Sequence, residues 1–309
     1  MICKKCGEEV RKGATFCPKC GEKVLYSTNI TETNNSKDNN KLIMILGVIV
    51  AVIVLAIVII PNINNSRIKT NVVDTVNNNV KENSVDQEKI QHVKDDINGF
   101  ISQYSSHSDV SVAIIDNHTA QKISSLDSED QYTAWGFYLP VYYAYGTRFS
   151  FDQTAINILS SDISLCNTNA NTAIDKLGGL HNLNEQLKQE FSTKKTEFGR
   201  LFAETNASGD NYTNAIEAVE FLYRLDADGN AARLSNRIHD FGIYEPSNAT
   251  VCAQVGTENR AVLKNLNLFA IVKDGNLDYS VVILTRNSKG GIITDLLAFI
   301  HKEMRSNME

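Results

Sequence analysis

Residues 266–285 read LNLFAIVKDGNLDYSVVILT, and their pattern decides the class of fold. Leu266–Lys273 and Asp278–Thr285 are rich in branched and aromatic residues, and Asp274-Gly275-Asn276 lies between them. Two such runs around a Gly-containing turn predict an antiparallel hairpin. Downstream, Ile293, Leu296, Leu297, Ile300 and Met304 recur at helical spacing and form the apolar stripe of a closing helix. Upstream, Asp109–Asp116 (DVSVAIID) alternates like a strand, with Gln121–Ser125 as its hairpin partner. Before it, Asp86–Tyr104 carries Ile90, Val93, Ile97 and Ile101 at helical spacing. The stretch between the hairpins is mostly helical in pattern, and Thr213–Leu225 places Ile216, Val219 and Tyr223 on one face. The order is helix, hairpin, helical block, hairpin, helix. It predicts an α+β domain over residues 86–309, with an antiparallel sheet assembled from both ends of that region. A segment of this length can bury a core of its own.

Further upstream, Leu42–Ile60 reads LIMILGVIVAVIVLAIVII, without a charge or a polar stripe. At ~1.5 Å per residue, about 19 residues cross a hydrocarbon core of ~30 Å. A buried core helix would keep a polar face, and a signal peptide would be followed by a small-residue cleavage site. Residues 42–61 are therefore read as a transmembrane helix. Residues 26–41 form a polar linker and residues 62–85 an Asn-rich stalk, neither with periodicity. Residues 1–41 hold eight Lys or Arg against five Asp or Glu, a net +3, and the whole chain carries −6, which leaves −9 for the remainder. Lys41 abuts the span, whereas the far flank is uncharged until Arg67. The positive-inside rule then places the N-terminus in the cytoplasm and the tail outside. The acidity of the tail argues against nucleic acid as its partner.

The head, residues 1–25, contains CKKCG and CPKCG. Cys3, Cys6, Cys17 and Cys20 thus form two CxxC pairs, each followed by glycine. Four thiolates at this spacing make a closed tetrahedral set for Zn²⁺, structural rather than catalytic. So short a segment buries little, so the metal would supply most of its folding energy. Paired disulfides are the competing reading, and a reducing cytosol disfavours them. The segment resembles the short zinc ribbons at the N-termini of many bacterial membrane proteins. That resemblance names no partner for it, cytoplasmic or otherwise.

The tail contains no HExxH and no Gly-rich phosphate loop, and its histidines are scattered outside any catalytic pattern. It does contain VSVAIID, YTAWGFYLPVYYAYG, TNANTAIDKLGG, SGDNYTNAIEAVEFLYRL and VGTENR in that order. Taken together, over residues 86–305, these resemble the class A serine β-lactamases and related penicillin-binding-type hydrolases. The family uses S-x-x-K, S-D-N and K-T-G: the serine attacks an acyl carbonyl, and the other groups move protons and hold the substrate carboxylate. Aligned on Leu139-Pro140-Val141, the nucleophile position holds Trp135 and the lysine position Tyr138. Aligned on Lys176–Gly179, the second motif becomes Leu165-Cys166-Asn167. The third becomes Gln254-Val255-Gly256. No glutamate matches the family's water-activating residue; Glu197 is near but displaced. Ser124, Ser125, Ser128 and Thr133 lack a lysine three residues on, so a register slip restores nothing.

The resemblance therefore implies a scaffold without its chemistry. Trp135, Tyr138, Asn167 and Gln254 are the candidate binding cleft. Trp135, the chain's one tryptophan, is either a platform for a sugar or peptide or a plug in a disused site. Cys166 and Cys252 fall in the second-motif loop and beside the third-motif strand, which the family sets face to face, so the resemblance allows a Cys166–Cys252 disulfide, the alternative being two buried thiols. The expectation is a membrane-anchored binding or signalling module of the bacterial envelope, taking a cell-wall fragment or an envelope protein. The alternatives are an acyl-transferring enzyme with substituted groups and a purely structural envelope protein.

Overall fold

The computed structural model describes residues 72–204, 209–234, 238–258, 265–287 and 289–308, with side chains from residue 87. The zinc ribbon, the polar linker, the apolar run and the start of the stalk lie outside the described residues. Among the described residues, no helix is long and apolar enough to cross a membrane.

Helix α1 spans Val72–Tyr104 and so begins inside the expected stalk. Val72, Val76 and Val80 recur every four residues there, a helical spacing that the surrounding asparagines obscure. The chain then forms β1 (Val110–Asp116), β2 (Lys122–Ser124) and a two-residue β3 (Tyr132–Thr133). The helical block follows as α2 (Leu139–Arg148), α3 (Gln153–Ile158), α4 (Ile163–Lys176) and α5 (Leu180–Phe191). After β4 (Glu197–Phe198) and β5 (Asn211–Thr213) comes α6 (Ala215–Ala227). Three long strands, β6 (Thr250–Thr257), β7 (Leu266–Asp274) and β8 (Leu277–Thr285), lead to α7 (Ile293–Met308).

The main sheet has the order β2-β1-β8-β7-β6, with antiparallel neighbours throughout. Strands from the two ends of the domain meet where Val110 pairs with Thr285 and Asp116 with Tyr279. All seven residues of β1 are buried, because the sheet is covered on both faces. Alternation assigns each residue to a layer rather than to core or solvent. Ala113, Ile115, Phe269, Ile271, Val282 and Leu284 join the layer of the helical block. Val112, Ile114, Leu268, Ala270, Val281 and Ile283 join the layer of α1 and α7. There Val93, Ile97 and Ile101 of α1, and Ile293, Leu296, Leu297, Ile300 and Met304 of α7, are fully buried.

Two local readings change. The face of α6 that packs inward is Ala215, Ala218, Val219, Leu222 and Leu225, while Ile216 and Tyr223 are only half-buried. Alanines let α6 lie close to β1 and β8, and a reading weighted by bulk passes over them. A second small sheet, β3-β5-β4, also ties the segment before α2 to the segments around residues 197 and 211. Strands of two or three residues carry too few side chains to show a period.

Candidate functional site

The segment 134–138 enters α2 from the small sheet. Ala134 N–H donates to the Asn211 carbonyl at 2.7 Å, and Tyr138 is the residue preceding the helix, with Pro140 in its first turn. Gly136 has φ +72°, and a β-carbon on it would lie 2.7 Å from the Gly256 Cα. A β-carbon on Gly256 would lie 2.0 Å from the Trp135 carbonyl oxygen. The end of β6 and the backbone of Trp135-Gly136 are therefore in direct contact, which only glycine permits at both positions.

Helix α4 supplies the second wall. Asp162 caps it, accepting from the backbone N–H of Ser164 and Leu165. Asn167, one turn in, accepts a 2.7 Å hydrogen bond from the Tyr138 hydroxyl. Leu165 points outward and is exposed, and Cys166 is buried, with its thiol donating to the Ser160 carbonyl at 3.0 Å. The third wall is the segment 199–211. Asn211 fixes it by accepting from the N–H of both Gly199 and Arg200 at 3.1 Å. Arg200 donates to Asp210 at 2.9 Å, and its guanidinium lies 4.7 Å from the centre of the Trp135 ring. Phe202 stacks on Tyr138 with ring centres 4.5 Å apart. Asn171 holds Phe202 in place by bonding both its N–H and its carbonyl.

Together these walls enclose a cleft of about 410 Å³ lined by Trp135, Gly136, Tyr138, Asn167, Arg200 and Gly256, among others. The structure thus brings together four of the expected residues, Trp135, Tyr138, Asn167 and Gly256. It does not bring in the rest. Gln254 is 5% exposed and does not line the cleft, and among the described residues neither of its amide atoms has a hydrogen-bond partner. Val255 turns to the α1/α7 layer, as alternation requires. Glu197 lies on β4, exposed, near the Gln131 amide.

The expected Cys166–Cys252 bridge is not formed. Cys252 does share a strand face with Gln254. However, it sits half-buried near Lys273, Asp226 and Glu245, while Cys166 is committed to the Ser160 loop. Burial pushes the Cys252 thiol up, against thiolate chemistry. Among the described residues, no group of His, Cys, Asp and Glu is placed to hold a metal. The four ribbon cysteines lie outside them.

Arg200, Phe202, Asp210 and Asn171 had no local signal in the sequence. They enter the site through the small sheet and through long-range side-chain bonds. Among the described residues, the lining of the cleft contains no serine, cysteine, lysine or histidine.

The architecture has known counterparts. A class A β-lactamase from Mycobacterium abscessus superposes with a TM-score of 0.53 at 14% identity, covering 70% of this chain and 99% of that one. A class A β-lactamase representative from Bacteroides cellulosilyticus gives 0.56 at 14% identity, covering 71% and 99%. PBP-A, solved as an acyl-enzyme complex with penicillin G, gives 0.53 at 12% identity, covering 70% and 97%. The folded tail therefore has the class A β-lactamase and PBP fold. At the other end of the chain, the zinc-ribbon domain family matches residues 2–24. No curated protein matches the sequence.

Proposed function

We propose that the chain is a single-pass protein of a bacterial cell membrane, with its N-terminus in the cytoplasm. Its β-lactamase-fold domain lies outside and binds rather than cleaves. The observation that carries this reading is the lining of the cleft. In the motif alignment an indole stands at the nucleophile position, and it lies against the Arg200 guanidinium. A phenol occupies the lysine position and stacks on Phe202. The indole cannot attack an acyl carbon, and the Tyr138 hydroxyl donates to the Asn167 amide oxygen rather than to a base. An acyl-transferring enzyme with substituted groups is supported by the fold alone.

In this reading the cleft holds a cell-wall fragment or a segment of an envelope protein, against Trp135 and the half-buried Asn167. Cys3, Cys6, Cys17 and Cys20 hold Zn²⁺ in a structural ribbon, which engages a cytoplasmic partner. The two CxxC pairs fit that metal by number, softness and spacing. One span transmits little rigid motion, so a signal passes by association of chains. Trp135 is the chain's one tryptophan, so its emission reports on the cleft. Titrating the full chain with soluble peptidoglycan fragments is expected to shift that emission saturably, and Asn167→Ala to weaken the effect. A flat titration with every fragment would remove the cell-wall ligand from this account.

A further inference from the structure

We propose that a second cavity, between the end of α5 and α6, is a binding site for a compact amphipathic carboxylate. The cavity measures about 430 Å³ and is walled by Phe191, Ile216, Phe221 and Tyr223, with Thr193 and Arg224 as polar members. That volume lies near the lower end of the roughly 300–1,000 Å³ typical of small-molecule pockets. The rings are held rigidly: Phe191 and Phe221 stack at 5.4 Å, and Phe221 meets Phe137 edge-on at 5.9 Å. The apolar body of a ligand would find a preformed surface there.

The polar groups decide which ligand fits. Arg224 lies 4.8 Å over the Phe191 ring and 5.5 Å over Tyr143. Among the described residues, its guanidinium makes no hydrogen bond or ion pair. Thr193 is 5% exposed, and its hydroxyl has no hydrogen-bond partner among the described residues. The two carboxylates on the wall are committed elsewhere. Glu217 accepts from the N–H of Lys194, Lys195 and Thr196 and from the Thr196 hydroxyl. Glu220 is paired with Lys122. The charged group on the wall left without an ion pair is thus the Arg224 cation, beside the hydroxyls of Ser192, Thr193 and Tyr223, which can donate or accept. A ligand with an aryl or branched alkyl body and an anionic acceptor complements them; a cationic ligand does not. The site shares no lining residue with the Trp135 cleft and does not depend on how that cleft is read.

The probes are 3-phenylpropionate and its neutral amide, titrated into the full chain by ligand-observed NMR and calorimetry. The acid is expected to bind saturably, about fivefold to tenfold tighter than the amide. Arg224→Gln should reduce the acid to the affinity of the amide, and Arg224→Lys should restore part of the preference. Ala227→Trp fills the cavity from an exposed position and should abolish binding of both, whereas Trp135→Ala should change neither. Equal affinity for acid and amide would overturn the proposal. So would absence of binding, binding untouched by Arg224→Gln and Ala227→Trp, or binding lost with Trp135→Ala.

Discussion

A β-carbon at residue 256 has no room: it would sit 2.0 Å from the Trp135 carbonyl oxygen and 2.4 Å from the Gly136 nitrogen. Gly256→Ala must move one backbone off the other and is expected to cost about 3 kcal/mol or more. Urea unfolding and Trp135 emission check this, and an unaltered variant would mean that the two segments are not in contact. Gln254 presents the opposite case, a buried amide with no hydrogen-bond partner among the described residues. Gln254→Met keeps the volume and removes the desolvation cost, so a gain of about 1 kcal/mol in unfolding free energy is expected. A loss of that size would show that the amide has a partner. At this scale the sequence was only partly legible. Motif alignment found Trp135, Tyr138, Asn167 and Gly256, because each lies a fixed distance from a recognisable anchor. It could not see that Cys166 turns to Ser160, because a helix's first turn sets that direction and the strand opposite does not.

Elements show where burial and charge set stability. Lys273, near the end of β7, reaches Asp226 on α6 at 2.6 Å and also pairs with Asp278 across the hairpin turn. Burial alone would lower its pKa, but the two carboxylates more than offset this and hold it above the ordinary 10.5. A raised folded pKa means that the stabilisation is complete at neutral pH and is lost as pH climbs through the folded value. Lys273→Met should therefore be less stable than the parent at pH 7, with the gap closing above pH 10.5. A gap independent of pH, followed by thermal melting from neutral to strongly alkaline conditions, would show that the ion pairs contribute nothing. Glu217, in the first turn of α6, organises the 194–196 turn through three backbone N–H groups. Glu217→Ala leaves those donors stranded and should cost about 2–3 kcal/mol; Glu217→Gln keeps one acceptor oxygen but sets an NH2 group against the donors of the other, and should recover only part of that. β7, β8 and the end helices were legible because eight or more residues carry an unambiguous period. The β3-β5-β4 sheet was not, although it is the element that delivers Arg200 and Phe202 to the cleft. A turn fixed by one carboxylate leaves no period to read.

At the scale of the whole molecule, the proposal joins a cytoplasmic zinc ribbon to an outer β-lactamase fold through one membrane span. The two ends should then respond independently. A strong chelator is expected to release zinc and expose the thiols of Cys3, Cys6, Cys17 and Cys20, while the melting of the tail stays unchanged. Loss of tail structure on chelation would mean that the two depend on each other. The order of elements made the fold legible, because strands from both ends of the tail can satisfy their edges only by meeting in one sheet. Function was less legible, since a scaffold records ancestry and a cleft records chemistry. The measurement that bears most directly on the central claim is the intact mass of the full chain after incubation with a reactive penicillin and a broad acyl-serine probe. A folded protein whose mass is unchanged is the predicted result. A stoichiometric adduct would contradict the account, and the residue that carries it would be a nucleophile that Trp135 and Tyr138 do not replace.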